Sequence, residues 1–186
     1  YRSSTSPGLG IVVNGGLLRF GDVNTNDQNL ATTFNLDTML GGSTVRINPG
    51  AQILAGSSNL SFGTGQVELL SSGSSMSMFR VRSTALTQSN LQTWMSANSS
   101  GVIALDVAPA TPLNLGTIGN GTSFLGAATA TTYAYESLGI GSGNIYRLGG
   151  GGNNLTLNSS AAGNLGALVE GSSPGTRVLI GNQAAN

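Results

Sequence analysis

The stretch Ile145-Tyr-Arg-Leu-Gly-Gly-Gly-Gly-Asn-Asn-Leu-Thr-Leu157 constrains the fold of this chain more than any other. Two short apolar-rich runs flank four consecutive glycines and two asparagines. Gly and Asn accept the positive φ of tight turns, so the stretch reads as a sharp corner between two pieces of sheet. In this reading Tyr146 and Leu148, then Leu155 and Leu157, are alternating core positions, and Gly149 to Asn154 joins them.

Much of the chain varies this theme. Leu9 to Val13 and Leu17 to Phe20 are β-rich runs separated by Asn14-Gly-Gly16. Thr33 to Leu36 alternates, Val45 and Ile47 alternate before Asn48-Pro-Gly50, and Ile53, Leu60 with Phe62, and Val67 with Leu69 follow. Later runs are Val102 to Val107, Leu113 with Leu115, Phe124-Leu125, Thr132 to Tyr135, Leu138 to Ile140, Leu165 to Val169 and Arg177 to Ile180. Strands this short, turning about every eight to ten residues, belong to an all-β sandwich, barrel or stack of repeats.

The spacing favours the stack. Strand-turn units recur near twenty residues apart, from Ile47 to Val67 and from Leu157 to Val178, and the breaks are too uniformly small for the varied loops of a Greek key. The expected architecture is a parallel β-solenoid over residues 1–186 as a single unit, with a β-sandwich as the alternative. One segment departs from the pattern. Leu91, Trp94 and Met95 stand at i, i+3 and i+4, a helical stripe, and Thr87 is placed to cap it, with Leu86 and Leu91 at the positions of a hydrophobic staple. A short helix over 87–97 is expected to lie on the flank of the β body and bury the single tryptophan.

Composition narrows the function. Charged residues are 8% of the chain, against about 25% in typical soluble domains. The seven basic residues are all arginine and balance seven acids. Such a neutral surface offers no electrostatic footprint for nucleic acid and no basic face for anionic membranes. Gly, Ser, Thr and Asn make up nearly half the chain, yet 39% hydrophobic content in short clusters argues against a disordered linker. No apolar run approaches the ~20 residues that span a bilayer. The start at Tyr1 carries neither an initiator methionine nor a signal-peptide pattern, which reads as a processed chain or part of a longer one.

Histidine and cysteine are absent, which removes the common nucleophile–base pairs, thiolate zinc sites and disulfides. The acids Asp22, Asp27, Asp37, Glu68, Asp106, Glu136 and Glu170 are scattered, whereas glycoside hydrolysis needs two carboxyls about 5–9.5 Å apart. Asp22-Val-Asn-Thr-Asn-Asp27 opens like a calcium loop but has Asp27 and Thr33 where glycine and glutamate belong. Gly149 to Gly152 lacks the Lys-Ser/Thr element and helix of a phosphate cradle. The sequons at Asn59, Asn98, Asn120, Asn154 and Asn158 are expected by chance in this composition. Arg80 and Arg82, beside Met76, Met78 and Phe79, share a strand face that is either an acidic-glycan grip or an ordinary polar exterior. No catalytic, cofactor-binding or metal-ligating residue is assigned.

Ser100-Gly-Val-Ile-Ala-Leu-Asp106 after a short helix, Asn144-Ile-Tyr-Arg-Leu-Gly-Gly-Gly-Gly152, Leu155-Thr-Leu157 and Gly175-Thr-Arg-Val-Leu-Ile-Gly181 occur in that order. Over residues 84–181 the set resembles the autotransporter-associated β-strand repeat proteins. Where such repeats continue with Asn-Thr-Tyr-x-Gly-Gly-Thr, this sequence has Asn182-Gln-Ala-Ala-Asn186. The resemblance implies a right-handed β-solenoid passenger region, exposed at the surface of a Gram-negative or related bacterium or released from it, with no particular catalytic residues. The expected function is a non-enzymatic structural or adhesive module that self-associates end to end into a fibre or sheath. A carbohydrate-binding surface module is the alternative, and a polysaccharide-active β-helix enzyme a more distant one. Self-association, end to end or lateral, and cell-surface carbohydrate are the expected partners; no cofactor is expected.

Overall fold

The computed structural model describes residues 10–20, 42–56, 64–82, 86–158, 167–168 and 175–181. The expected runs at 33–36 and 60–62 and the Asp22–Asp27 loop lie outside them. The strands are β1 Ile11–Val13, β2 Leu17–Phe20, β3 Thr44–Ile47, β4 Gln52–Ala55, β5 Gln66–Leu69, β6 Ser71–Ser72, β7 Ser75–Met76 and β8 Met78–Val81. They continue with β9 Val102–Leu105, β10 Phe124–Ala127, β11 Thr131–Tyr133, β12 Ile145–Gly149, β13 Leu155–Leu157 and β14 Arg177–Gly181. A seven-residue helix, Gln88–Trp94, and a short 3-10 turn at Leu115–Thr117 interrupt them.

The protein is strand-rich and its sheets are parallel. A seven-stranded sheet takes β2, β4, β8, β9, β10, β12 and β14 in chain order, and a three-stranded sheet takes β1, β3 and β5. Each strand of the small sheet is thus followed by one of the large sheet, after β5 by way of the β6–β7 hairpin. β11 and β13 make a separate parallel pair, and among the named strands antiparallel pairing is confined to the β6–β7 hairpin.

Register explains why the alternating pattern works. Leu18 pairs with Ile53, Ile53 with Phe79, Phe79 with Ile103, Ile103 with Leu125, Leu125 with Leu148 and Leu148 with Ile180. One apolar row therefore crosses the whole large sheet. Facing it, Val45 pairs with Val67 and Ile47 with Leu69 in the small sheet, all fully buried. A one-residue slip of any strand would turn its apolar set outward, so the row fixes the pairing.

These pairings correct the expected spacing. Val102 to Phe124 is 22 residues, Gln52 to Met78 is 26 and Leu17 to Gln52 is 35. Hairpin β6–β7 and the helix lengthen individual passes beyond the uniform twenty. Ile47 pairs with Leu69 instead of Val67, and Leu157 and Val178 belong to different sheets.

The helix is shorter than the expected 87–97 because its end is taken by the sheet. Met95 turns extended and bridges Val67, and the Ser96 N–H donates to the Val67 carbonyl at 2.8 Å. Thr87 caps the helix through Asn90, which returns the bond to the Thr87 backbone. Leu86, Leu91 and Trp94 are buried, and Trp94 meets Phe79 edge-to-face at 6.3 Å.

The four-glycine corner lies directly on β10. A Cβ on Gly126 would fall 2.2 Å from the Gly150 carbonyl oxygen, and one on Gly151 would fall 2.3 Å from that of Ala127. Gly149 to Gly152 all have positive φ. The Ala127 N–H donates to Gly150 O at 3.2 Å, and Asn153 N–H donates to Ala127 O at 3.0 Å. Tyr146 is buried, and Leu148, Leu155 and Leu157 pack partly buried against the core, as the alternation implies.

Candidate functional site

Three features of the exterior carry chemistry, and each grows from strand geometry. Odd and even residues of a strand face opposite ways, so Arg46 and Glu68 point out from the small sheet while Val45, Ile47, Val67 and Leu69 point in. Register sets Arg46 beside Glu68, and Arg46 Nε donates to Glu68 Oε2 at 2.7 Å. The carboxylate side chain is only 10% exposed and the guanidinium 55%. With Gly10, Ile11, Val12, Thr44, Ser96 and Asn98 they line a shallow concavity of roughly 370 Å³.

The second feature lies on the large sheet. Arg80 Nη2 donates to Asp106 Oδ1 at 3.1 Å and to Oδ2 at 3.4 Å, and Thr129 Oγ1 donates to Oδ1 at 3.0 Å. Asp106 has a side chain 1% exposed against 26% for Arg80. The Arg80 Nε is buried without a partner. Beside the pair, Met78, Val102, Ala104 and Phe124 form a small apolar cluster distinct from the main core. Of the two arginines that share a strand face, Arg80 is thus tied to the protein's own carboxylate, and Arg82, just past β8, is exposed.

The third feature is the pair of sheet edges. Among the described residues, Val12, Leu17, Val178, Leu179 and Ile180 are the exposed large hydrophobic residues. All five stand on the first strand of a sheet or the last strand of the large one. Ile180, the final member of the inward row, is 78% exposed.

Of the scattered acids, Glu68 and Asp106 are held on different sheets, each by its own arginine, and Glu136 is exposed. Asp22, Asp27, Asp37 and Glu170 lie outside the described residues. Among the described residues no group of three or more His, Cys, Asp or Glu is gathered to hold a metal. No helix among them is long and apolar enough to cross a membrane. Tyr133 is a buried phenol whose hydroxyl is held on both sides. Its hydroxyl accepts from the Leu113 N–H and donates to the Ser137 carbonyl, both at 2.8 Å. Burial raises its pKa above the ordinary 10.0, against the lowering effect of the Leu113 bond and with a smaller push from Tyr135.

Sequence reasoning did not single out the Arg46–Glu68 and Arg80–Asp106 pairs. Their signal is present only once strands are aligned, at separations of 22 and 26 residues. No protein-family model, curated protein or solved structure matches this chain.

Proposed function

We propose that the chain is a non-enzymatic, extracellular or cell-surface module built as a right-handed parallel β-solenoid, with a structural or adhesive role. The observation that carries the reading is the chain-order parallel sheet with one apolar row across all seven strands. An α/β protein also contains a parallel sheet, but its crossovers are helices packed on both faces. Here the described crossovers hold strands, turns and one seven-residue helix, which supports coiling over doubly wound packing. Right-handed winding follows the general preference of parallel crossovers.

The structural role rests on what the exterior carries. Among the described residues the two buried carboxylates, Glu68 and Asp106, are each neutralised by an arginine, and the chain is rich in small uncharged polar residues. The resemblance to autotransporter-associated β-strand repeats supports the extracellular setting. Antibody labelling of intact cells of the source bacterium, with protease shaving as the control, tests the location. Antigen confined to the cytosolic fraction would refute it, and cleavage of a polysaccharide by the purified chain would refute the non-enzymatic role.

A second reading, carbohydrate binding, is favoured by the concavity at Thr44, Arg46, Glu68, Ser96 and Asn98, whose hydroxyl, amide and charged groups suit sugar hydroxyls. Retention on a glycan array that disappears in Arg46→Ala would support it, and no retention on any glycan would dismiss it.

A further inference from the structure

Each end of the large sheet presents, among the described residues, one apolar strand edge without a neighbour. Among the described residues β2 pairs only with β4, and β14 only with β12. Unpaired strand edges are templates for another strand, and native proteins blunt them with charge, proline or a covering element. Here β14 presents Val178, Leu179 and Ile180, which are 51%, 48% and 78% exposed, and β2 presents Leu17 at 40%. Both strands run the same way, because every pairing between them is parallel.

We propose that these edges bind each other between two copies of this chain, head to tail, with β14 of one copy adding in parallel to β2 of the next. The inference rests on the coiled architecture proposed above and names its partner and register. The row Leu18, Ile53, Phe79, Ile103, Leu125, Leu148, Ile180 continues across the junction when Ile180 stands opposite Leu18 of the second copy. Leu179 then faces Leu17 on the outer side, and Gly181 faces Arg19, so no bulky residue opposes that arginine. Arg177 meets Gly15, which keeps the arginines of the two edges from standing opposite each other. A one-residue shift would turn Ile180 to the outside and is disfavoured for the same reason that it is within the sheet.

The contact is heterologous, since two different surfaces meet, and it leaves a free β2 at one end and a free β14 at the other. A heterologous contact that does not close generates an open filament. The partner is therefore a third and fourth copy as much as a second.

The chain lacks cysteine, so engineered thiols report the contact without background. Leu179→Cys and Leu17→Cys are prepared as two separate proteins, mixed and oxidised. The expected product is the mixed disulfide dimer, well above either homodimer, because adjacent strands place facing Cα atoms within disulfide range. Sedimentation of the unmodified chain should show species growing with concentration. Ile180→Lys should raise the concentration needed by about tenfold or more, because its charge would face the apolar row. A monomer at all concentrations, or Leu179→Cys homodimers in place of mixed dimers, overturns the proposal. Protection of the β14 amides from hydrogen exchange in a monomer also overturns it, since another segment of the same chain would then hold the edge. Thr132→Cys/Thr156→Cys, exposed register partners on β11 and β13, is the internal control. If that pair closes and the copies do not join, stacking alone fails; if it stays open, the coiled architecture fails with it.

Discussion

Replacing Gly126 by alanine should destabilise the protein severely, although its backbone lies outside the positive-φ region. The new methyl carbon would stand 2.2 Å from Gly150 O and 2.6 Å from Gly149 O. Both obstacles are backbone of the glycine corner and have no side chain to swing aside. Relief requires lifting that corner off β10, which breaks the Ala127 to Gly150 and Asn153 to Ala127 hydrogen bonds. Overpacking costs about 1–3 kcal/mol and each lost bond about 1 kcal/mol, so a loss of roughly 3–5 kcal/mol is expected. Three companions separate packing from backbone strain. Gly16 has φ +69 and nothing within 4 Å, so Gly16→Ala should lose only the left-handed penalty of about 1–2 kcal/mol. Gly151 combines φ +87 with a 2.3 Å approach to Ala127 O, and Gly151→Ala should exceed both, at roughly 4–6 kcal/mol. Gly15 has open space and no positive φ, and Gly15→Ala should stay within about 0.5 kcal/mol of wild type. Urea unfolding followed by far-UV circular dichroism ranks the four. If Gly126→Ala lies within about 1 kcal/mol of Gly15→Ala, the close-packed corner is wrong.

Three further outcomes follow from the buried polar groups. Arg80→Ala strips Asp106 of its cation inside the outer cluster and should cost about 3–5 kcal/mol. Arg82→Ala, on the exposed neighbour, should change the same denaturation midpoint by no more than about 0.5 kcal/mol. Ser123 Oγ is buried and without a hydrogen-bond partner, so Ser123→Ala should be neutral or stabilise by up to about 1 kcal/mol in thermal unfolding. Tyr133 holds its proton more tightly folded than unfolded. The unfolded chain therefore binds fewer protons as pH rises past 10, and stability falls there while the Tyr133 contribution is fully present below pH 10. Tyr133→Phe should lose about 1–3 kcal/mol at neutral pH and should lack that part of the alkaline slope above about pH 10.

The sequence made the local elements legible where alternation and turn chemistry act alone. Asn14-Gly-Gly16 marks the break between β1 and β2, Gly149 to Asn154 marks the corner after β12, and Thr87 with Leu91 and Trp94 marks the helix. Boundaries failed where pairing decides them. Met95 and Ser96 read as helix by spacing but bond to Val67. Leu113 and Leu115 read as strand but lead into a 3-10 turn, with only Asn114 bridging Gly139. Hairpin β6–β7, written Ser-Ser-Gly-Ser-Ser-Met, has no apolar alternation to reveal it. The charge pairs were hidden for a related reason. Arg46 with Glu68, and Arg80 with Asp106, are partners across whole passes of chain, a relation no local pattern encodes.

The helix Gln88–Trp94 bears on how such a chain finds its alignment during folding. The strands of the large sheet are short, parallel and apolar on the same face, so a strand could add to the neighbour of its proper partner. Among the described residues the helix occurs at one place, where the small sheet would otherwise take a fourth strand after β5. Trp94 packs edge-to-face against Phe79, and Ser99 is bonded to both Val67 and Leu69. A mispaired β8 or β9 would separate Trp94 from Phe79 and leave the Val67 and Leu69 backbone without these partners. The helix thus serves as an index mark, a point of contact between the two sheets from which strand alignment can be counted in both directions.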